Sequence, residues 1–361
     1  MRIIIAGGGT GGHVFPAISI AQEISYRHHK DEILFVGTQR GLENELLTKK
    51  GYKIKHISSR GFVGRGLFKT VIAFFYAFKG LIDSISIIRS FRPDVVLGVG
   101  GYVSGPLVLA AVLLRIPTAI CEQNTVPGVT NRILGRVVNK IFASFDSSVL
   151  YFPSTKIVIT GNPIRKEILI SADSSKSTES LSALVFGGSQ GAHSLNRLVP
   201  EAFSKIGNKS ISVIHQTGGK DYLYVKDLYI ENKINAQVLT FIDDMANAYG
   251  KSDLVIARAG AGTISEITAL GKPSILIPFP YAAHNHQLEN AKILESAGAA
   301  VLIEDKDATA AKLAMALTKL LDEDKLNTMA ANAKKLGKPE ASKKIVDELY
   351  NLAGDSLCTE R

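Results

Sequence analysis

Residues 2–13, RIIIAGGGTGGH, pass from a short apolar run (Arg2 to Ala6) into a glycine loop (Gly7 to Gly12) and then into a helical pattern from about Phe15 to Tyr26. Residues 183–194, ALVFGGSQGAHS, repeat that order. A short Val/Ile/Leu-rich run that ends in glycine and gives way to a helix is a βα unit of a parallel sheet covered on both faces. Working outward, further strands are expected at Glu32 to Val36, at Asp94 to Leu97 leading into GVGGYVSG, and at Pro117 to Cys121 leading into EQN. In the second half Asp253 to Ala257 enters RAGAGTISE, and Pro273 to Ile277 echoes Pro117 to Cys121. The offsets differ, being 180 residues from Gly7 to Gly187, 159 from Asp94 to Asp253 and 156 from Pro117 to Pro273. Unequal offsets exclude an array of short repeats and point to two related domains carrying different insertions.

The expected fold is therefore α/β, with two Rossmann-like parallel-sheet domains. A chain of 361 residues is also too long for one ordinary core. The first domain is expected over residues 1–161 and the second over 162–338, with Ser171 to Ser182 a surface loop or linker. Lys338-Pro339 breaks the pattern, and a last helix, about 340–352, is free to pack back on the first domain. Cys121 and Cys358 are far apart and lack metal-ligand spacing, which speaks for a reducing compartment and against a disulfide framework or a zinc site. The opening apolar run is too short for a signal peptide. Leu67 to Ile88, the longest apolar candidate, is interrupted by Lys69, Lys79 and Asp83, so no spanning helix is expected. The net charge of +9 is uneven: residues 1–162 hold 19 Lys and Arg against 9 Asp and Glu, whereas residues 163–361 hold 23 against 24. All the surplus falls in the first half, where it suits an anionic partner, nucleic acid or a lipid headgroup layer, or simple solubility.

Gly7, Gly9 and Gly12 match G-x-G-x-x-G, a weak signal alone. A dinucleotide site needs an acid at the end of the second strand, and that strand ends Val36-Gly37-Thr38. No Gly-Lys-Ser/Thr follows, so the loop is not a P-loop either. Its physics survives: glycines admit a ligand close to the backbone, and helix-start N–H groups favour negative charge. If the domains stack across a cleft, Gly7 to Gly12 and Gly187 to Gly191 face each other and suit two phosphate-bearing substrates. The plainer alternative is that these glycines only make tight strand-to-helix turns.

GGGTGGH (Gly7–His13), GVGGYVSGP (Gly98–Pro106), EQN (Glu122–Asn124), GNPIR (Gly161–Arg165), GGSQGA (Gly187–Ala192) and RAGAGTISE (Arg258–Glu266) together resemble the MurG family of peptidoglycan N-acetylglucosaminyltransferases. The blocks run in family order from residue 7 to about residue 291. The resemblance implies the GT-B arrangement of the two domains facing across a cleft. It implies an inverting, metal-independent transfer of N-acetylglucosamine from UDP-N-acetylglucosamine to undecaprenyl-pyrophosphoryl-MurNAc-pentapeptide. Peptidoglycan synthesis, cell shape and cell division are the implied setting. No cofactor is implied, and no nucleic acid; cell-wall synthesis proteins are implied as possible partners. The implied location is the cytoplasmic side of the bacterial inner membrane, peripherally bound to its anionic surface.

Residue by residue, the resemblance places Ser189 at the donor diphosphate with Arg165 beside it, and the backbone at Ile242 on the uracil edge. Ala261, Gly262, Thr263, Ile264, Ser265 and Glu266 lie against the nucleotide, Glu266 accepting from the ribose hydroxyls, and Gln287 meets the sugar ring. A carboxylate taking two hydroxyl donors is a sound ribose clamp. Thr10, Gly11, Gly12 and Asn124 belong to the sugar site on the first domain. His13 is the candidate general base, since an imidazole can take a proton near neutral pH; Glu122 or a water is the alternative, and ordering the loop is its plainer role. Some relatives have His where this chain has Cys121, which leaves that detail of acceptor binding open. Glycine-loop amides and helix starts would stabilise the leaving diphosphate without a metal, with Asp243-Asp244 expected at the surface or in a turn. Phe68, Ile72, Phe74, Phe75, Phe78, Leu81 and Ile82, bordered by Arg65, Lys69, Lys79 and Arg89, read as an interfacial helix on an anionic leaflet, or else as a core helix. The rivals are a UDP-N-acetylglucosamine epimerase, a transferase for another lipid-linked acceptor, a nicotinamide-dependent reductase and a non-catalytic nucleotide-sugar binder.

Overall fold

The structure, a computed structural model, describes the chain apart from residues 9–10, 40–41, 59–66, 171–180, 208–210 and 360–361, and apart from the side chains of residues 42, 43, 45, 67–75, 77 and 355–359. The chain divides into two compact units, Met1–Arg165 with Glu340–Arg361, and Lys166–Pro339.

In the first unit the strands are β1 (Arg2–Gly7), β2 (Glu32–Gly37), β3 (Lys53–His56), β4 (Val95–Gly100), β5 (Thr118–Glu122), β6 (Lys140–Ala143) and β7 (Ile157–Ile159). Its helices are α1 (Gly11–Arg27), α2 (Leu42–Lys49), α3 (Leu67–Phe91), α4 (Ser104–Leu113) and α5 (Val129–Leu134). The second unit holds β8 (Leu181–Phe186), β9 (Ile211–Gln216), β10 (Asn235–Leu239), β11 (Leu254–Ala257), β12 (Ser274–Leu276) and β13 (Ala300–Leu302). Its helices are α6 (Lys166–Ile170), α7 (His193–Ile206), α8 (Tyr222–Glu231), α9 (Met245–Lys251), α10 (Ala261–Leu270), α11 (His286–Ser296), α12 (Ala310–Leu320) and α13 (Glu323–Leu336). Helix α14 (Ala341–Thr359) returns to the first unit.

The sheet orders are β3-β2-β1-β4-β5-β6-β7 and β10-β9-β8-β11-β12-β13, with every pair parallel. Successive side chains leave a strand on opposite faces. Ile3 and Ile5 accordingly join one buried layer with Ile20 and Ile24 of α1, and Ile4 and Ala6 join another with Leu107 and Val108 of α4. The duplication seen in the sequence has a hydrogen-bond counterpart. Asp94, entering β4, accepts from Arg2 N (2.6 Å), and Asp253, entering β11, accepts from Ser182 N (3.0 Å). Both aspartates also donate their own N–H to the same strand-start residue, each at 2.8 Å.

Helix α1 starts earlier than its apolar pattern indicates, so Gly11, Gly12 and His13 form its first turn. Glycine has low helix propensity and hides the start, but first-turn N–H groups need no intrahelical acceptor. The last helix runs on past the expected Leu352. Its Ile345, Val346, Leu349 and Leu352 are buried in the layer that holds Ile3, Ile5 and Ile24. Lys140–Glu348 and Arg27–Asp347 ion pairs, and Tyr350 donating to Asp31 (2.5 Å), fasten its polar side.

Candidate active site

Ligands of open parallel sheets bind off the strands' carboxyl ends where the strand order reverses. In the first unit that point lies between β1 and β4. Gly100 (φ +119°) and Gly101 (φ +81°) end β4 in conformations that L residues rarely adopt. A Cβ on Gly100 would stand 2.4 Å from His13 Nδ1, and one on Gly101 would stand 2.4 Å from the Gly8 carbonyl oxygen. The imidazole of His13 is thus seated directly against bare backbone. Ser104 ties the seat together, accepting from Gly100 N (2.9 Å) and lying 3.0 Å from the Ala6 carbonyl as its donor.

The EQN corner at the end of β5 is internally braced. Glu122 is 2% exposed; its carboxylate accepts from Asn131 Nδ2 (2.8 Å), Asn124 N (3.0 Å) and Gly128 N (3.4 Å). Burial pushes its pKa above the ordinary carboxylate value, and these donors only partly offset that. Gln123 donates to Val99 O (2.6 Å), and the Asn124 carbonyl accepts from Ser148 Oγ (3.2 Å). Cys121 is buried in the core, where desolvation and then the neighbouring Glu122 push its thiol pKa up. Only its carbonyl takes part in the corner, accepting from Asn131 Nδ2 (3.0 Å). Asn124 is half-buried, as is Arg165, whose guanidinium lies 4.6 Å above the Phe15 ring of α1.

In the second unit the order reverses between β8 and β11. Ser189 stands exposed in the loop between β8 and α7. Gly188 (φ +97°) and Gly191 (φ +75°) shape that loop, and a Cβ on Gly191 would meet the Thr217 carbonyl at 1.8 Å. Gln216, at the end of β9, donates to the Gly188 carbonyl (2.9 Å) and accepts from Ile242 N (2.8 Å). The peptide N–H at Ile242 is therefore engaged within the protein. The neighbouring Asp244 is exposed and caps α9, its carboxylate accepting from Asn247 N (3.0 Å).

Helix α10 begins at Ala261 after Gly260, and no side chain caps it. Its first N–H groups make an anion seat at the end of β11. Glu266, on the same helix, accepts from Tyr249 OH (3.0 Å), and Tyr249 is itself buried edge-on against Phe186. Gln287 on α11 accepts from Phe279 N (2.9 Å) through its carbonyl oxygen, which leaves its amide nitrogen as a donor. Before it, His284 and Asn285 are consecutive non-glycine residues at positive φ (53° and 54°), a strained approach to α11. Arg258 gathers the surrounding ends: it donates to Ile277 O and Pro278 O (2.9 Å each), Asp305 (2.5 Å) and Ser194 Oγ (2.6 Å). Among the described residues no group of three or more His, Cys, Asp or Glu is placed to hold a metal ion.

The glycosyltransferase family 28 N-terminal domain matches residues 3–143, and the glycosyltransferase family 28 C-terminal domain matches residues 182–345. A relative from Syntrophus aciditrophicus, named UDP-N-acetylglucosamine–N-acetylmuramyl-(pentapeptide) pyrophosphoryl-undecaprenol N-acetylglucosamine transferase, is 47% identical, with 96% of this chain and 97% of the relative covered. One of the same name from Myxococcus xanthus is 44% identical over 98% and 93%. The crystal structure of Acinetobacter baumannii MurG is 32% identical, with a TM-score of 0.80 over 97% of this chain and 99% of that one. The chain belongs to the MurG family of glycosyltransferase family 28. Its fold is GT-B. A UDP-GlcNAc 2-epimerase from Neisseria meningitidis also aligns, with a TM-score of 0.70 over 97% of this chain and 100% of that one, but at 16% identity the likeness is one of fold.

Of the residues expected to serve this MurG-family chain, Gly11, Gly12, His13 and Asn124 sit at the carboxyl end of the first sheet. Ser189, Ile242, Ala261–Glu266 and Gln287 sit at that of the second. Arg165 closes the first unit rather than opening the second, past the expected boundary at residue 161. Thr10 lies outside the described residues. Arg65 and the side chains of Phe68, Lys69, Ile72, Phe74 and Phe75 also lie outside them, while Phe78, Lys79 and Ile82 of α3 are exposed. Leu113 on α4, Ile133 on α5 and Leu150, which is 87% exposed, are further exposed apolar residues of the first unit. Arg115, Arg132 and Arg136 are exposed in the same unit, Arg132 resting 4.8 Å over the Tyr151 ring. Among the described residues no helix is long and apolar enough to cross a membrane. Gln216, Arg258 and Tyr249 were not among the expected site residues; the one sequence signal for the first is the Thr217-Gly218-Gly219 loop that follows the apolar run of β9.

Proposed function

We propose that this chain transfers N-acetylglucosamine from UDP-N-acetylglucosamine to undecaprenyl-pyrophosphoryl-MurNAc-pentapeptide, with inversion at the anomeric carbon. The observation that carries the reading is the match, across nearly the whole chain, to relatives named for this transfer. The geometry supplies the chemistry. In the second unit the diphosphate meets the Ser189 loop and the uncapped start of α10, where amide dipoles take up the charge that develops as UDP leaves. Glu266 clamps the ribose hydroxyls while Tyr249 holds its carboxylate from behind. Gln287 presents its amide N–H groups to the sugar, and Arg165 adds a cation toward the diphosphate.

In the first unit Gly11, Gly12 and Asn124 line the sugar side. The acceptor hydroxyl oxygen bonds to the anomeric carbon as the bond from that carbon to the diphosphate oxygen breaks. The hydroxyl proton passes to His13, whose ring the Gly100 backbone holds in place. Glu122, enclosed by donors of its own loop, positions Asn124 instead of acting as the base. The acceptor's lipid calls for work at a membrane surface. Exposed Phe78, Ile82, Leu113, Ile133 and Leu150, with exposed Lys79, Arg115, Arg132 and Arg136 in the same unit, suit peripheral binding to an anionic leaflet on the cytoplasmic side.

Purified protein given labelled UDP-N-acetylglucosamine should release UDP only when the lipid-linked muramyl acceptor is added. Epimer formation without acceptor would instead support the epimerase reading and defeat this one. Release with a different lipid glycoside, but not with this acceptor, would reassign the substrate. Co-sedimentation with anionic liposomes should fall in Phe78→Ser and Lys79→Glu variants; unchanged binding would remove the membrane face.

A further inference from the structure

Helix α1 begins at Gly11, beyond the carboxyl end of β1, and its first turn carries Gly12 and His13. Phe15 follows in the next turn, half-buried. Its ring edge fills the space that a side chain on Gly11 would need, since a Cβ there would stand 3.1 Å from Phe15 Cε2. Arg165, the last residue of the first unit, returns to this place after β7. Its guanidinium carbon lies 4.6 Å from the centre of the Phe15 ring, and its Nε is buried. The cation is thus fastened to the helix that also carries His13, within one unit of the fold.

We infer that Phe15 is a positioning residue that holds the Arg165 guanidinium ready for the diphosphate, an inference that rests on the role proposed for Arg165 above. A protein can hold a cation in two ways. A carboxylate holds it strongly, but its charge offsets the attraction that a phosphate oxygen would feel. The negative face of an aromatic ring attracts the cation through the ring quadrupole, takes none of its N–H donors and leaves its charge whole. Arginine suits this arrangement better than lysine. Its planar group stacks on a ring, and its N–H groups form a fork that matches phosphate oxygens. A side chain already held in place also loses less rotamer freedom when the diphosphate arrives. Phe15, whose side chain bears no polar atom, therefore acts on the transfer through Arg165.

The test replaces Phe15 with phenylalanines carrying one, two or three ring fluorines, both in otherwise wild-type protein and in Arg165→Gln. Fluorine drains the negative face while nearly keeping the ring's bulk, so packing is preserved and the attraction is not. The readout is kcat/KM for acceptor-dependent UDP release. With Arg165 present it should fall stepwise with fluorine number, by about 2- to 30-fold in all. Arg165→Gln alone should lose about 10- to 100-fold, and fluorination should then cost nothing further, as for two groups acting as one. Equal losses in both backgrounds, or no loss with Arg165 present, overturn the inference. Phe15→Leu and Phe15→Tyr make a second cycle: leucine should lose the coupling to Arg165 and tyrosine, which keeps the face, should retain it. If the leucine variant does not fold, the fluorinated series decides. Arg165→Gln that transfers as fast as wild type defeats the role proposed for Arg165 and the inference with it. Wild-type protein without acceptor-dependent release defeats the proposed function itself.

Discussion

At the residue scale, several polar groups proposed to meet the donor are braced by the protein itself. Glu266 is held from behind by buried Tyr249. Glu266→Ala should weaken UDP binding by about 10- to 100-fold, the range for a hydrogen bond to a charged group, and should lower stability by up to about 1–3 kcal/mol because the buried Tyr249 hydroxyl loses this acceptor. Calorimetry and thermal denaturation on the same preparation check both halves. His13 is held by Gly100 and lies in the other unit, so His13→Ala should lower kcat about 10²- to 10⁴-fold without changing the dissociation constant of UDP. Equal losses in kcat and in UDP affinity would deny it the proton-transfer role.

At the element scale, strand ends matter more than strand middles. Gly191 carries φ +75° and has Thr217 O where a Cβ would go. Gly191→Ala therefore has to displace either its own loop or the Thr217 loop. The variant should lose UDP binding and at least about 1–3 kcal/mol of stability, read by calorimetry and urea denaturation. These glycines were legible in the sequence because each closes an apolar run and opens a helix, a purely local pattern. The strands at Arg2, Glu32, Asp94, Pro117, Ala183, Asp253 and Pro273 were legible for the same reason. Gln216 and Arg258 were not. Gln216 finds its acceptor 28 residues away, and Arg258 reaches Ser194 across 64. No local period encodes such partners, and a buried Gln or Arg reads like a surface one until the fold brings them in. The start of α1 escaped for another reason: glycines in a first turn look like loop.

At the scale of the whole molecule, each unit has its own weakness. The second buries His215 between Tyr229 OH (2.9 Å) and Asn196 Oδ1 (3.2 Å), and desolvation lowers its pKa to about 3. The folded state then holds fewer protons than the unfolded state below the ordinary histidine pKa. The stabilisation is complete above about pH 6.5 and is lost as pH falls toward 3, amounting to a loss of about 2 kcal/mol by pH 5. Denaturant titrations at pH 8 and pH 5 should show that loss in wild type and a smaller one in His215→Gln; equal slopes would contradict it. The first unit depends on α14. Removing residues 340–361 would uncover the layer that Ile345, Val346, Leu349 and Leu352 fill, each worth about 1.5–3 kcal/mol of burial. Calorimetry should then find the transition of the first unit abolished and that of Lys166–Pro339 retained.

The return of α14 also has a consequence for biosynthesis. A ribosome makes Met1–Arg165, then all of Lys166–Pro339, and only afterwards the helix that closes the first core. At about 5–20 residues per second, the nascent first unit waits on the order of ten seconds or more with the part of one sheet face that α14 covers left open. The second unit, contiguous in the chain, is ready to fold before the first is finished. Birth order and completion order are thus reversed, and that interval is when chaperones would find the most apolar surface to hold.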